Sequence, residues 1–385
     1  MLIDPQPHFQ SFLQAGFECS THRNGNRQRL DLVESSKHDL FVTEDFLRLQ
    51  DLDIRTVREG ARWHIIEESP GIYEFSSLER IYDAAQKVGM EIILDLLHFG
   101  YPEFVNVYEP DFVAAFEGFT QATVEFLHRR GLERHFIVPV NEISYFAWAG
   151  GDQGLINPHS TQRGPELKKQ LIRAAIAASQ VLLDGLPNVV LGTAEPVIHI
   201  TGRPSVPGDD ARAEAYRLAM YEAWDMLTGR LCPELGGKAE YLQVVGVNYY
   251  DRNQWINEGP AILKDDPQYR PFHEILQEVW GRYQLPIFVS ETGIENEDRP
   301  HWFHYVCQEV RQAISLGVPI EGICLYPILN HPGWDDERHC HNGLYDYADE
   351  QGHREVYAPF AEAIRQEYET DDLFVRNQES LTCQS

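Results

Sequence analysis

The sequence predicts an α/β protein that folds as a parallel (β/α)8 barrel, the TIM-barrel architecture. Strand-like and helix-like segments alternate eight times along the 385 residues, and such alternation is typical of a parallel sheet covered by helices. Barrels of this kind often run from about 250 to more than 400 residues as one domain. The first predicted strand is not followed by a glycine-rich GxGxxG motif, which disfavours a dinucleotide-binding sheet.

In the first half of the chain, short apolar runs predict the strands and amphipathic segments predict the helices. Phe112, Phe116 and Phe119 lie three or four residues apart, as on one buried helical face, and Gly131 is a typical helix stop. The predicted order is strand 11–19, helix 43–52, strand 54–58, helix 77–88, strand 90–98, helix 111–130 and strand 135–142.

The same alternation continues through the second half of the chain. The predicted order is helix 167–183, strand 188–195, helix 211–230, strand 242–250, helix 272–283, a strand within 285–295, helix 302–316, strand 320–327 and helix 357–368. We expect residues 1–370 to form one catalytic barrel. Residues 371–385 lack apolar periodicity, so we expect them to form a flexible tail.

Composition excludes several classes of partner. The formal net charge of −28 would repel nucleic acids and anionic membrane surfaces. No apolar run approaches the ~20 residues that a membrane helix needs. The start of the chain does not resemble a secretory signal, and the six cysteines form no CxxC pair. We therefore expect a cytoplasmic protein with reduced thiols and without a metal, since acidic and histidine-rich loops such as 335–341 are usually solvated.

Two predicted strands deliver a glutamate to their C-terminal ends, Glu142 on the fourth strand and Glu291 on the seventh. In barrel enzymes the loops at this end hold the chemistry, and the fourth and seventh strands lie on roughly opposite sides of the mouth. Paired carboxyl groups are typical of glycoside hydrolysis. A separation of about 5 Å gives a retaining mechanism and about 6.5 to 9.5 Å an inverting one, and the sequence leaves the separation open.

Six motifs support this interpretation. In chain order they are Val57 to Trp63, Leu97 to Pro102, Val140 to Ser144, Asn248 to Tyr250, Val289 to Gly293 and Tyr326 to Trp334. Together they resemble the motifs of family 1 glycoside hydrolases, the β-glucosidase type, in the order that this family shows. The resemblance extends from Phe12 to about Asp349.

The resemblance implies a retaining β-glycosidase, or a transglycosidase that uses the same covalent intermediate, with a carbohydrate substrate and no cofactor. It implies that Glu291 is the nucleophile and Glu142 the acid/base catalyst. It also implies that Arg58 keeps Glu291 ionised, that Tyr250 donates a hydrogen bond to it, and that other side chains contact the sugar. The substrate-binding set is Glu18, Arg58, His98, Asn141, Asn248, Tyr250, Tyr326 and Trp334.

Some positions depart from the family pattern. Ile143 replaces the proline that usually follows the acid/base glutamate, and Thr292 replaces an asparagine. Gly333 replaces a glutamate that binds distal sugar hydroxyls, and Tyr326 replaces a tryptophan. These changes leave the catalytic groups in place and concern the choice of sugar. The acidic loop after Trp334 disfavours a phosphorylated sugar.

Three alternatives stay open at this stage. The first-strand glutamine of the family is absent, and either Glu18 or His22 could replace it. The barrel could bind a glycan or a partner protein without cleaving it, or act within polysaccharides as an endo-acting relative. Glu195 also ends a predicted strand, but no family motif includes it, so we interpret it as structural.

Overall fold

A computed structural model describes residues 8–370, so the predicted tail at 371–385 lies outside the described residues. The predicted (β/α)8 barrel is confirmed. Its parallel strands are β1 (Leu13–Gly16), β2 (Thr56–Gly60), β3 (Glu91–Leu97), β4 (His135–Val140), β5 (Val189–Leu191 and Glu195–Pro196), β6 (Val245–Asn248), β7 (Ile287–Thr292) and β8 (Ile320–Leu325).

The barrel closes through strand pairing on all sides. β1 pairs with both β2 and β8, and the pairing continues in order from β2 to β5 and from β6 to β8. The first segment of β5 pairs with β4, and its second segment pairs with β6, with a bridge between Gly192 and Val244. The sequence predicted one continuous strand over 188–195, and the break inside β5 corrects this prediction.

The outer layer consists of helices whose apolar faces pack on the strands. Their bounds are His38–Gln50, Ser76–Val88, Asp111–Arg130, Gly164–Gly185, Asp209–Leu218, Glu222–Leu227, Phe272–Tyr283, Arg299–Ser315 and Ala358–Thr370. Two of them, Asp111–Arg130 and Phe272–Tyr283, have the bounds that the sequence predicted. The prediction of one continuous helix over 211–230 is wrong. A 3-10 turn at Ala219–Tyr221 divides this segment into two helices, and Met220 and Tyr221 are buried in the core.

Short elements occupy the connecting segments, and the sequence did not predict them. They include helices Leu32–Ser35, Trp63–Ile66 and Ile143–Phe146, the π-helix Ala147–Asp152, 3-10 turns Pro233–Leu235, Ala239–Tyr241 and Asn296–Asp298, and strands His199–Thr201, Gln254–Ile256, His331–Pro332, His339–Cys340, Tyr345–Ala348 and Arg354–Val356. Many of them follow the C-terminal end of a barrel strand, the end at which Glu142 and Glu291 lie.

The two ends of the barrel interior differ in polarity. Phe9, which precedes β1, packs its ring against Phe136 at 4.9 Å and against Phe288 at 5.2 Å between centroids. These rings belong to an apolar cluster at the start of the strands. This end is filled mainly with apolar side chains, and Glu142 and Glu291 lie with their polar neighbours at the opposite end.

Within residues 8–370, no helix combines the length and the apolar character needed to cross a membrane.

Candidate active site

The two predicted catalytic glutamates lie at the C-terminal end of the barrel and share a neighbour, Asn248. Glu291 is part of β7, and Glu142 follows β4 by two residues. Asn248 ends β6, pairs in register with Glu291 and donates its Nδ2 hydrogen bond to Glu142 Oε1 at 2.8 Å. Its Oδ1 accepts a hydrogen bond from Ser290 Oγ at 2.6 Å. β6 therefore joins the two acids across the pocket.

Arg58 is the central cation of the site and is fully buried on β2. Its guanidinium donates two hydrogen bonds to Asp95, at 3.0 and 2.6 Å, in the bidentate geometry typical of arginine and a carboxylate. It also donates to Asn141 Oδ1 at 2.6 Å, to Ser290 O at 3.1 Å and to Glu291 Oε1 at 2.6 Å. Burial opposes the charge, but Asp95 and Glu291 outweigh this and raise the pKa of Arg58 well above its ordinary value.

Both oxygens of Glu291 have a hydrogen-bond donor. Arg58 Nη1 donates to Oε1, and the Tyr250 hydroxyl donates to Oε2 at 2.8 Å. Burial, followed by the charges of Glu291 and Glu142, raises the pKa of Tyr250 well above its ordinary value, so the phenol keeps its proton. A carboxylate that accepts hydrogen bonds from a cation and a phenol is stabilised in its ionised form.

Glu142 lies in the opposite environment. Burial first, and the charge of Glu291 second, raise the pKa of Glu142 to about 8, although the hydrogen bond from Asn248 acts in the opposite direction. Because of this raised pKa, the Glu142 carboxyl group holds a proton at neutral pH that it can donate. The Glu142 backbone has a φ of +45°, in the left-handed region that residues other than glycine rarely adopt.

His98, Asn141 and Asp95 form a hydrogen-bonded row beneath the pocket. Because Asn141 Oδ1 accepts from Arg58, the Asn141 amide nitrogen faces His98 Nε2, at 3.0 Å. An amide N–H donates, so His98 Nε2 is the acceptor and Nδ1 carries the hydrogen. Nδ1 lies 3.1 Å from Asp95 Oδ2 and 3.2 Å from Cys19 Sγ. Arg58 and Asp95 thus fix the orientation of both predicted sugar-binding side chains.

Glu18 follows β1 and lies at the same pocket. Its Oε1 accepts a hydrogen bond from the Ser20 backbone at 2.9 Å and lies 4.0 Å from His98 Nε2. The negative charge of Glu18 also contributes to the raised pKa values of Tyr250 and Tyr326. A third carboxyl group therefore accompanies Glu142 and Glu291.

Tyr326 and Trp334 occupy different levels of the site. Tyr326 is buried, with the Arg58 guanidinium 5.2 Å from its ring centroid and the His98 ring stacked parallel at 6.1 Å. Trp334 lies at the rim, where it packs edge-on against His22 at 4.4 Å. Asn24 Nδ2 donates to the Trp334 carbonyl at 2.7 Å, so the loops after β1 and β8 are joined there.

Asp95, Ser290 and Glu195 were not predicted as site residues. Asp95 was the most visible, since it is an acid within the apolar run of β3. Ser290 lies on β7 beside Glu291 and gave no signal of its own. Glu195, interpreted as structural, accepts hydrogen bonds from the backbone directly after Glu142.

Two clusters in the described chain bring three metal-type side chains together, but neither arrangement fits a metal ion. In the first, Cys19, Asp95 and His98, Arg58 already engages both Asp95 oxygens. In the second, the His339 and His341 rings stack 4.2 Å apart at 16° beside Asp346. Nitrogen lone pairs lie in the ring plane, so two nearly parallel rings cannot direct them at one ion.

Comparison with known proteins identifies structures of the same fold, whereas the sequence comparisons find no match. The sequence matches no protein-family model and no curated protein. A β-glucosidase from Thermotoga maritima in complex with glucoimidazole superposes with a TM-score of 0.74 at 14% identity, over 94% of this chain and 99% of that one. The same organism's β-glucosidase in complex with castanospermine gives 0.72 at 16% identity, over 94% and 98%.

A further structure, described as a family 1 β-glucosidase from Thermotoga maritima, superposes with a TM-score of 0.70 at 16% identity, over 87% of each chain. These are structures of the family whose motifs the sequence resembles. The chain therefore has the (β/α)8 fold of family 1 β-glucosidases.

Proposed function

We propose that the protein is a divergent family 1 glycoside hydrolase, a retaining β-glycosidase that hydrolyses or transfers a β-linked sugar through a covalent intermediate. One observation carries the proposal: two acids share a pocket but have opposite environments. Glu291 accepts hydrogen bonds from Arg58 and Tyr250, whereas burial raises the pKa of Glu142 to about 8. Two carboxyl groups in different environments are what acid and nucleophile roles require.

In the first step, a Glu291 oxygen attacks the anomeric carbon while the glycosidic bond breaks. Glu142 transfers its proton to the departing oxygen, so the leaving group departs as a neutral alcohol. The sugar is left as an ester of Glu291. Arg58 and Tyr250 hold the attacking carboxylate in place, and Asn248 holds the Glu142 carboxyl.

The second step reverses the role of Glu142. Once Glu291 is esterified, its negative charge is gone, and with it one of the two main causes of the raised pKa of Glu142. Glu142 then acts as a base and removes a proton from the incoming water or acceptor hydroxyl. Attack by water gives hydrolysis, and attack by a sugar hydroxyl gives transfer.

The charges of the pocket favour a glycone without a negative charge. Arg58 is the buried cation of the site, and Asp95 and Glu291 already engage it. Glu18 adds a further carboxyl group. A uronic acid or a sugar phosphate would place a further negative charge beside these carboxyl groups, where Arg58 is already paired, and an uncompensated charge is costly in a buried site. Glu18, His98 and Asn141 are the proposed contacts for sugar hydroxyls.

The proposal is tested by two substitutions in the full-length protein, assayed with aryl β-glycosides. Glu291→Gln should abolish turnover because the amide is not a nucleophile. Glu142→Ala should lose roughly 10²- to 10⁴-fold on a poor leaving group, and added azide should restore activity on an activated leaving group by attacking the intermediate. A Glu291→Gln variant that keeps most of its activity would refute the proposal.

A further inference from the structure

The break in β5 lies directly beside Glu142. β5 stops at Leu191, begins again at Glu195, and between these points the Ala194 carbonyl accepts the Glu142 backbone N–H at 2.7 Å. The second segment then pairs with β6, with Glu195 opposite Val247. The irregular part of β5 is therefore directed at the backbone of the proposed acid.

The Glu195 side chain completes this contact. Its Oε1 accepts the backbone N–H of Ile143, and its Oε2 accepts the backbone N–H of Ser144 at 3.1 Å. Glu195 is only 1% exposed, so each of its oxygens is committed to an amide of the two residues that follow Glu142. Hydrogen bonds from N–H groups to a buried carboxylate are stronger than those between neutral groups.

Glu142 needs such support. A residue other than glycine is strained in the left-handed region, and this backbone conformation persists only where the surroundings determine it. At Glu142 the surroundings are the Ala194 carbonyl, the two Glu195 oxygens and the Asn248 amide. The contacts from Ala194 and Glu195 come from the break in β5 and the segment that follows it, a region that the sequence motifs do not include.

We propose that Glu195 is a positioning residue that holds the backbone of Ile143 and Ser144 and thereby places the Glu142 carboxyl for proton transfer. This inference rests on the proposed function, in which Glu142 is the acid/base catalyst. Glu195 does not touch the substrate and acts through Glu142.

Glu195 also influences the protonation of Glu142. Its negative charge contributes to the raised pKa of Glu142. Burial raises the pKa of Glu195 itself to about 7, against the hydrogen bonds from Ser144 and Ile143 and the charge of Lys168 on the helix Gly164–Gly185. Among the described residues, Glu142 and Lys168 interact electrostatically with Glu195, and Lys168 is itself paired with Glu222 at 2.7 Å. Removing the Glu195 charge should therefore lower the pKa of Glu142.

The experiment compares Glu195→Gln and Glu195→Asp with a matched control, Glu67→Gln. Glutamine at 195 loses the charge and one acceptor. Aspartate at 195 keeps the charge, but it is one methylene shorter and therefore too short to hold both backbone amides. Glu67 is also buried, and it accepts hydrogen bonds from Trp63 Nε1 at 2.7 Å and from the Gly71 N–H at 2.8 Å, in the loop after β2.

Two aryl β-glycosides are used, with phenol and 2,4-dinitrophenol as leaving groups, on the glycone that the wild type cleaves. Because misplacement of a catalytic group can cost up to 10²-fold, kcat/KM of Glu195→Gln should fall roughly 10- to 100-fold for the phenyl glycoside. It should fall less than about threefold for the dinitrophenyl glycoside, which needs little acid assistance. Glu195→Asp should show the same difference between leaving groups, and Glu67→Gln should not.

The titration of Glu142 gives a readout that does not need turnover. The carbon-13 signal of its carboxyl group, assigned with Glu142→Gln, should titrate at lower pH in Glu195→Gln than in the wild type and unchanged in Glu67→Gln. Equal losses on both glycosides, or an unshifted Glu142 titration in Glu195→Gln, would overturn the inference, and Glu195→Asp decides it if Glu195→Gln does not fold. A wild type without any glycosidase activity would refute the proposed function instead, and the titration would still decide the role of Glu195.

Discussion

Glu142 and Glu291 carry the same functional group, and their neighbours make them chemically different. Glu291 has a hydrogen-bond donor on each oxygen, and one donor is a fully buried guanidinium. Glu142 has one amide donor, on Oε1, and its pKa is raised to about 8. Under the proposed function, burial and the different hydrogen-bond partners make Glu142 the acid and Glu291 the nucleophile, and single substitutions can test these roles.

Tyr250→Phe should lower kcat/KM by roughly 10- to 100-fold, which corresponds to losing a hydrogen bond to a charged group worth about 1.5 to 3 kcal/mol. The loss follows because Tyr250 is the donor to Glu291 Oε2. The adjacent Tyr249→Phe is the matched control, since the Tyr249 hydroxyl contacts Tyr269 and Gln254, both at 2.8 Å. Steady-state kinetics on one aryl glycoside measures both. Equal losses in the two variants would contradict the role of Tyr250.

The acid role of Glu142 predicts a basic limb in the pH profile. For a substrate with a poor leaving group, kcat/KM should fall as the pH rises through about 8, because Glu142 then loses the proton that it donates. Asn248→Ala removes a hydrogen bond that lowers this pKa, so the limb should move to higher pH. A limb that moves to lower pH in this variant would contradict the assignment.

At the scale of single residues, the sequence reveals the proposed reacting groups but not the residues that hold them in place. Glu142 and Glu291 are visible because each ends an apolar strand within a recognisable motif. Asp95 and Glu195 act through contacts between strands that are remote in sequence. Their partners are known only once the barrel places β3 beside β2 and β5 beside β4.

At the scale of elements, a buried charge network joins β2 to the outer layer. Alternation along β2 directs Arg58 inwards and Glu59 outwards, where Glu59 Oε1 lies 2.9 Å from His38 Nε2. His38 Nδ1 lies 2.8 Å from Asp45 Oδ2, and Arg354 donates to the same carboxylate at 2.7 and 3.0 Å. The helix His38–Gln50 and the strand Arg354–Val356 are thereby held against β2, directly behind the site.

This network predicts a pH-dependent stability. Burial opposes the charge on His38, but Glu59 and Asp45 outweigh it and raise its pKa from 6.5 to about 9. A group whose pKa is raised by folding stabilises the protein fully below about pH 6.5 and loses this effect as the pH rises through about 9. The difference is worth roughly 3 kcal/mol in the free energy of unfolding.

His38→Gln tests this prediction. Urea unfolding at about pH 6, 7.5 and 9 should show the wild type more stable than the variant at the lowest pH, with the difference shrinking as the pH rises. Taking the difference between the two proteins removes contributions from groups that His38 does not contact, including Glu142. A difference that is constant or grows with pH would contradict the charged state of His38.

The type of each main element follows from local pattern, whereas interruptions follow from tertiary contacts. The helix Asp111–Arg130 was predictable because an apolar stripe and Gly131 mark it. The break in β5 was not predictable in this way, because residues 189–194 contain no proline and no charged residue that would mark the end of a strand. Where β5 is interrupted, the Ala194 carbonyl accepts a hydrogen bond from the Glu142 N–H, which stabilises the break. The alternation of residues along a strand does not reveal such a contact with another strand.

At the scale of the whole molecule, the apolar packing and the proposed active site lie at opposite ends of the barrel. Phe9, Phe136 and Phe288 fill the interior at the start of the strands, and the buried polar network occupies the opposite end. Eight alternating pairs were enough to predict this architecture, since few other folds accommodate them. The superposition with family 1 β-glucosidases at 14% to 16% identity shows the same fold.

The most direct test of the proposed function is covalent labelling of the intact protein by 2-fluoro-2-deoxy glycosides with good leaving groups. Fluorine at this position slows release of the intermediate, so the sugar ester should accumulate and add the mass of one fluorosugar. Peptide mapping should place the label on Glu291, and the sugar that labels fastest identifies the glycone. A label on another residue, or turnover of an aryl β-glycoside without any labelling by its fluorinated counterpart, would contradict a retaining mechanism with Glu291 as its nucleophile.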